Sequence, residues 1–208
     1  MNKINKLLLT FILLIYGCKT NEINTNKYSQ RFSSLDMNIY SKKGSKLYSI
    51  NSTYSSYDKV SQIFNLNETT IYLFDDNKSQ YIITSDNSII SNNNKKLELI
   101  GNVKMKTLPD KENKLYGNTF TWIVDESEYT LKGDVKFENN NVILSSNKAK
   151  INKGTNIIEF YNPVKYIIKG ENNENKYEIN SENAYYNLKT ESVSFKSNKN
   201  RVRSIINF

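Results

Sequence analysis

The stretch ELIGNVKM, residues 98–105, decides the fold, because apolar and polar residues alternate in it around a central Gly-Asn pair. Alternation of this kind is typical of a β-strand with one buried face and one face in water. Two similar stretches follow, YTLKGDVKF at 129–137 and IEFYNPVKYI at 158–167, with Gly-Asp and Asn-Pro at the centre. Because glycine or proline inside a strand indicates a bend or bulge, the sequence predicts a bent strand that occurs three times.

A second strand pattern precedes each bent strand, so that the chain repeats a larger unit. These patterns are YIITSDNSII at 81–90, YGNTFTWIVD at 116–125 and ILSSNKAKIN at 143–152, and a fourth, YEINSENAYYN at 177–187, follows the last bent strand. One strand, a turn, a bent strand and a turn form a unit of roughly 30 residues, and units that cannot bury a core alone must stack. We therefore predict an all-β fold, an open sandwich of stacked antiparallel bent hairpins whose inner faces form one apolar groove.

The composition agrees with this fold and limits the partners. The 208 residues include 15 Tyr and 9 Phe, which favour strands, and no segment has a helical apolar period. A net charge of +8 is compatible with binding to nucleic acid, to an anionic membrane or to an anionic glycolipid. The lysines are spread along the chain without a nucleic-acid motif, so we interpret them as a solvated surface and expect no nucleic-acid partner.

The first residues predict the cellular compartment. An apolar run at 7–16 follows Lys3 and Lys6 and is shorter than the roughly 20 residues that a membrane helix needs. The run ends in Ile15-Tyr16-Gly17-Cys18, which resembles a bacterial lipobox. We expect residues 1–17 to be a lipoprotein signal peptide and an acylated Cys18 to anchor the protein in a membrane. The alternative is an unmodified thiol beside an ordinary cleavage site.

The remaining chain divides into two parts. Residues 18–31 are polar and aperiodic, which predicts a flexible tether. Residues 32–208 carry the repeated strands and are expected to form the folded domain. Since Cys18 is the sole cysteine, no disulfide can form within the chain.

No catalytic or metal-binding pattern stands out. The chain has no histidine, which removes the commonest general base and weakens any zinc site. The acidic pairs Asp75-Asp76 and Asp125-Glu126 fall in turn sequences and are interpreted as solvated carboxylates. We expect no enzymatic activity, no metal and no cofactor; a hydrolase of envelope glycans is the least favoured alternative.

Three segments carry a resemblance to a known family: 84–105, 116–137 and 144–166, with GNVK, GDVK and NPVK at their bends. With the anchor and tether they resemble the LptC family of periplasmic lipopolysaccharide-export proteins, in the LptA/OstA-like β-jellyroll superfamily, over residues 32–205. The resemblance implies a β-jellyroll that serves outer membrane biogenesis. Such proteins receive lipopolysaccharide from an inner-membrane ABC transporter and pass it to an LptA-like β-jellyroll protein.

One departure from the family concerns the anchor. Members usually keep an N-terminal transmembrane helix, where this chain has the lipobox. We expect lipid anchoring at the periplasmic face of the envelope, with the inner membrane favoured over the outer.

The resemblance and the strand pattern together give two candidate sites. As a set, the inward residues are predicted to hold lipid, although each alone is suited to core packing: Leu99, Val103, Met105, Trp122, Leu131, Val135, Phe137, Phe160, Val164 and Tyr166. The partner edges are predicted at Asp36, Met37, Asn38, Ile39 and Tyr40, and at Val202, Arg203, Ser204, Ile205 and Ile206. The alternative function is a structural or adhesive repeat-β lipoprotein that carries no lipid.

Overall fold

The computed structural model describes residues 29–108, 113–170, 174–198 and 201–206, and within these ranges every regular element is a β-strand. The strands are β1 (Ser29–Phe32), β2 (Leu35–Tyr40), β3 (Lys46–Asp58), β4 (Ile63–Asp75), β5 (Lys78–Ser91), β6 (Lys96–Thr107), β7 (Lys114–Ile123), β8 (Glu128–Asn139), β9 (Val142–Asn152), β10 (Ile157–Lys169), β11 (Asn175–Asn187), β12 (Val193–Lys196) and β13 (Arg203–Ile206). The all-β, antiparallel prediction is confirmed. No helix in the described ranges has the length and hydropathy to cross a membrane. The predicted signal peptide and Cys18 lie outside the described residues.

The strands form one antiparallel sheet in which β3 to β11 pair in chain order. Each outermost long strand carries two short ones: β1 and β2 both pair with β3, and β12 and β13 both pair with β11. Residues 29–31, which the sequence assigned to the tether, belong to β1, where Gln30 pairs with Tyr57. The tether boundary was therefore wrong by a few residues, because backbone pairing needs no apolar side chain at an edge.

Each long strand bends in the middle, which folds the sheet into two leaves. We call leaf A the strand halves that run from the bend toward the turns at 59–62, 92–95, 124–127 and 153–156. Leaf B is formed by the halves that run toward the turns at 41–45, 76–77 and 140–141, among others. The leaves pack face to face, with the Phe137 ring of leaf B 5.9 Å from the Phe160 ring of leaf A.

Two kinds of corner alternate along the sheet. In β6 and β8 the pairing register shifts at Gly101-Asn102 and Gly133-Asp134, and these four residues have positive φ. Strict alternation would place Gly101 on the inner face. A Cβ on Gly101 would instead lie 2.7 Å from Oδ2 of the outward-facing Asp86, because left-handed backbone reverses the direction of the side chain.

The other kind of corner is held by a serine. In β3, β5, β9 and β11 the hydroxyl donates to the carbonyl oxygen two residues further on, at 2.7 to 3.0 Å: Ser52 to Tyr54, Ser85 to Asn87, Ser146 to Lys148 and Ser181 to Asn183. This bond between side chain and backbone spans the bend and holds its local conformation. In β7 the corresponding position, opposite Val103, is Gly117.

Candidate functional site

The structure brings all ten predicted lipid-contacting residues into one interior. Leu99, Trp122, Leu131 and Phe160 come from leaf A, and Val103, Met105, Val135, Phe137, Val164 and Tyr166 come from leaf B. Their exposed fractions lie between 0% and 8%, so the interior is closed and filled by side chains. Contact between this set and lipid stays a prediction.

An aromatic cluster fills the interior toward the N-terminal half of the sheet. The ring of Tyr129 lies 5.4 Å from that of Trp122, 5.6 Å from that of Phe120 and 5.9 Å from that of Tyr81. Tyr48 contacts Trp122 from leaf B at 5.6 Å. Burial raises the pKa of the Tyr48 and Tyr129 hydroxyls, which keeps both neutral. Within the described ranges no charged residue is buried, so the interior is a neutral and largely apolar environment.

Opposite the corner, the ends of the two leaves meet along a line that we call the seam. In one place Tyr48 of leaf B donates its hydroxyl to the carbonyl oxygen of Asn94 in a leaf A turn, at 2.6 Å. In another, Nδ2 of Asn139 at the end of leaf B donates to the Tyr186 hydroxyl of leaf A at 2.9 Å and to Asn113 Oδ1 at 2.6 Å. Burial raises the pKa of Tyr186 to about 12. Side-chain hydrogen bonds thus hold the seam closed at these two places.

A lysine lies on the seam beside the aromatic cluster. The ammonium of Lys153, the first residue after β9, is 4.1 Å from the centre of the Trp122 ring and 5.0 Å from that of Tyr129. Burial lowers the pKa of this ammonium, and the nearby Asp75 carboxylate raises it. Among the described residues, the ion pairs within 4.0 Å do not include Lys153.

Sequence reasoning missed the seam residues, although the strand pattern contains a signal for them. Ala149 and Ile151 are buried, and Lys153 continues their alternation onto the same face. Asn139 likewise follows the buried Val135 and Phe137 at the same spacing. A polar residue at the inward position that ends a strand is therefore the pattern that marks the seam.

The predicted partner edges coincide with edges of the sheet. Residues 36–40 lie in β2 and residues 203–206 form β13, with Val202 directly before it. Among the described strands, β2 pairs with β3 alone and β13 pairs with β11 alone. In β2, Met37 and Ile39 pack against the core, whereas Ile205 and Ile206 in β13 are 46% and 53% exposed. The sequence did not identify β1 and β12, which complete the two edges. Partner binding at either edge stays a prediction.

The described residues contain no group of three or more His, Cys, Asp or Glu side chains that could hold a metal ion. In the same ranges the geometry offers instead a neutral interior, a seam closed by side chains and two sheet edges, β2 and β13, that each pair with one strand. These features are suited to binding and assembly.

Comparison with known proteins identifies the family. No curated protein matches the sequence. A similar solved structure is LptH, the LptA-homologous periplasmic component of the lipopolysaccharide transport device from Pseudomonas aeruginosa, with 16% identity and a TM-score of 0.49. The match covers 61% of this chain and 94% of that one. The family model described as "Lipopolysaccharide-assembly, LptC-related" matches residues 7–142, which is more than half of the chain. This chain belongs to the LptC family.

Proposed function

We propose that the protein binds lipopolysaccharide and transfers it across the periplasm as a component of the lipopolysaccharide export bridge. Membership of the LptC family supports this role. The observation that carries it is the interior, which two leaves enclose and whose buried side chains are uncharged in the described ranges; at the seam the leaves are joined by side-chain hydrogen bonds. An interior of this kind suits acyl chains, because each buried methylene contributes about 0.8 kcal/mol.

Lipid enters by separation of the leaves along the seam. The leaves are continuous through the corners, whereas the seam contacts, such as Tyr48 to Asn94, are made by side chains. Opening the seam breaks few hydrogen bonds and exposes the inner faces, and acyl chains then replace the lost contacts between the leaves. Such transfer needs binding and release, and no bond in the lipid is broken.

The sheet edges are the surfaces at which neighbouring proteins bind. With respect to the strands that the structure describes, β2 and β13 each have one unpaired side, and an exposed edge can accept a strand from another protein. We assign the β2 edge to the inner-membrane ABC transporter complex from which lipid is received, and the β13 edge to the LptA-like β-jellyroll protein that takes it. Strand addition would continue the interior from one protein into the next.

The anchor and domain boundaries belong to the same proposal. Residues 1–17 are removed, acylated Cys18 holds the protein at the periplasmic face of the inner membrane, and a short tether leads to the domain, in which β1 begins at Ser29. Metabolic labelling with a palmitate analogue should mark the protein, and Cys18→Ser should abolish the label. Recovery of a mature, unlabelled wild-type protein would exclude the anchor and leave the transport role intact.

Photo-crosslinking tests the transport role. A photoreactive residue at Val103, Val135 or Phe160, whose side chains are buried in the interior, is expected to form lipopolysaccharide adducts. The matched controls are Lys104 and Lys136, which are exposed on the outer face of the sheet. Each directly follows an inward residue, Val103 or Val135. Adducts at the inward positions, and none at the two exposed lysines, support transport. A folded protein without inward adducts would leave only the structural or adhesive function.

A further inference from the structure

The packing of an apolar interior does not explain the position of the Lys153 ammonium. Its ammonium lies over the faces of Trp122 and Tyr129, and half-burial removes part of its hydration. The rings compensate for only part of that loss, since the attraction of a cation to an aromatic face is modest. A charge-assisted hydrogen bond to an anion would compensate for more.

The charged groups around Lys153 leave room for such an anion. On its own side of the seam, Asp125 is paired with Lys95 at 2.7 Å. In leaf B, the charge of Asp75 acts on Lys153, but the Asp75 side chain is exposed. Among the ion pairs of the described residues there is none between Asp75 and Lys153. The ammonium is thus held at the entrance of the interior, next to the aromatic cluster, without a close anionic partner.

We propose that Lys153 is a phosphate subsite at the seam, which binds the phosphate of a phosphorylated glycolipid whose acyl chains occupy the interior. This inference rests on the proposed function. The rings of Trp122 and Tyr129 hold the ammonium in place before the lipid arrives, so less side-chain freedom is lost on binding. Asp75 repels either phosphate, and only a ligand whose acyl chains are buried in the interior offsets that repulsion, which favours amphiphiles over free phosphate.

The chain provides a reporter and a matched control for this subsite. Trp122 is the only tryptophan of the sequence, so its fluorescence reports on the Lys153 ammonium above it. Lys148, in the same strand region, also lies over an aromatic ring, 5.4 Å from the centre of Tyr161. Because the neighbouring Ala149 faces inward, Lys148 lies on the outer face of the sheet.

The experiment compares wild type, Lys153→Gln, Lys153→Arg and Lys148→Gln. Each protein is titrated with lipopolysaccharide, with the same lipid after removal of its phosphates, and with inorganic phosphate. We expect Lys153→Gln to weaken lipopolysaccharide binding about tenfold and to leave binding of the dephosphorylated lipid unchanged. Lys153→Arg should keep most of the affinity, Lys148→Gln should behave as wild type, and inorganic phosphate should not change the Trp122 fluorescence.

The outcomes separate this inference from the proposed function. If Lys153→Gln weakens both lipids equally, the lysine acts through packing and the subsite is wrong. If it weakens neither while wild type binds both, the subsite is also wrong and the transport role stands. A fluorescence change with inorganic phosphate as large as with lipopolysaccharide would identify a free-phosphate site and overturn the inference. If neither lipid binds wild type, the proposed function fails, and the subsite fails with it.

Discussion

Gly133 and Asn118 meet so closely at the corner between β7 and β8 that a Cβ on Gly133 would lie 2.7 Å from Asn118 Nδ2 and 2.9 Å from its Cβ. Gly133 also has a φ of +77°, which side chains disfavour. We expect Gly133→Ala to destabilise the domain by about 1–3 kcal/mol in urea unfolding. The control is Gly117→Ala in the adjacent strand, where a Cβ would meet its nearest atom at 3.5 Å. Equal stability of the two variants would contradict this explanation of the corner.

Gly117 occupies the corner position at which four other strands carry a serine. Since a Cβ fits there, Gly117→Ser should place a hydroxyl within reach of the Thr119 carbonyl, as Ser85 does with Asn87. We expect a gain of about 0.5–1.5 kcal/mol from the hydrogen bond, beyond the gain of Gly117→Ala, which reports the loss of glycine's backbone freedom alone. Urea unfolding of both variants measures the difference. If the serine variant is no more stable than the alanine variant, the serine bonds do not stabilise the corners.

The repeat pattern predicted most of the fold because corners and faces are local properties. Alternation around Gly101 and Gly133 identified the bends, and the ten inward residues lie in the interior. The closure of the interior was not predicted. It depends on contacts such as Tyr48 to Asn94, which join residues 46 positions apart through the packing of the leaves. Periodicity assigns a residue to a face, and does not indicate what the opposite leaf places there.

The same limit explains why Lys153 was missed. The turn sequence around it suggests a solvated lysine, and its inward position becomes significant only when Trp122 and Tyr129 lie beneath it. The tether boundary failed for a related reason. Arg31 pairs with Ser56 through the backbone, and strand pairing at an edge leaves little trace in side-chain pattern.

The bond between Tyr48 and Asn94 is predicted to limit opening of the seam. Tyr48→Phe removes the hydroxyl and keeps the ring against Trp122, so we expect a loss of about 1 kcal/mol in stability and faster exchange of a fluorescent lipopolysaccharide. Tyr54→Phe is the control, because Tyr54 is 68% exposed. Exchange rates that are unchanged in Tyr48→Phe, despite lower stability, would show that lipid does not enter where this bond lies.

The free side of β13 is predicted to be a docking edge, and a pair of proline variants can separate docking from folding. In an antiparallel edge strand, successive N–H groups point alternately toward the neighbour and away from it, so of Ser204 and Ile205 one bonds to β11 and the other faces the open edge. Proline removes the N–H in either case. At the outward position it should weaken binding of a purified LptA-like β-jellyroll protein by about tenfold or more and leave thermal unfolding unchanged. At the other position it should lower the unfolding temperature, because a bond to β11 is lost. If both variants bind the partner as wild type does while remaining folded, the C-terminal edge is not the docking surface.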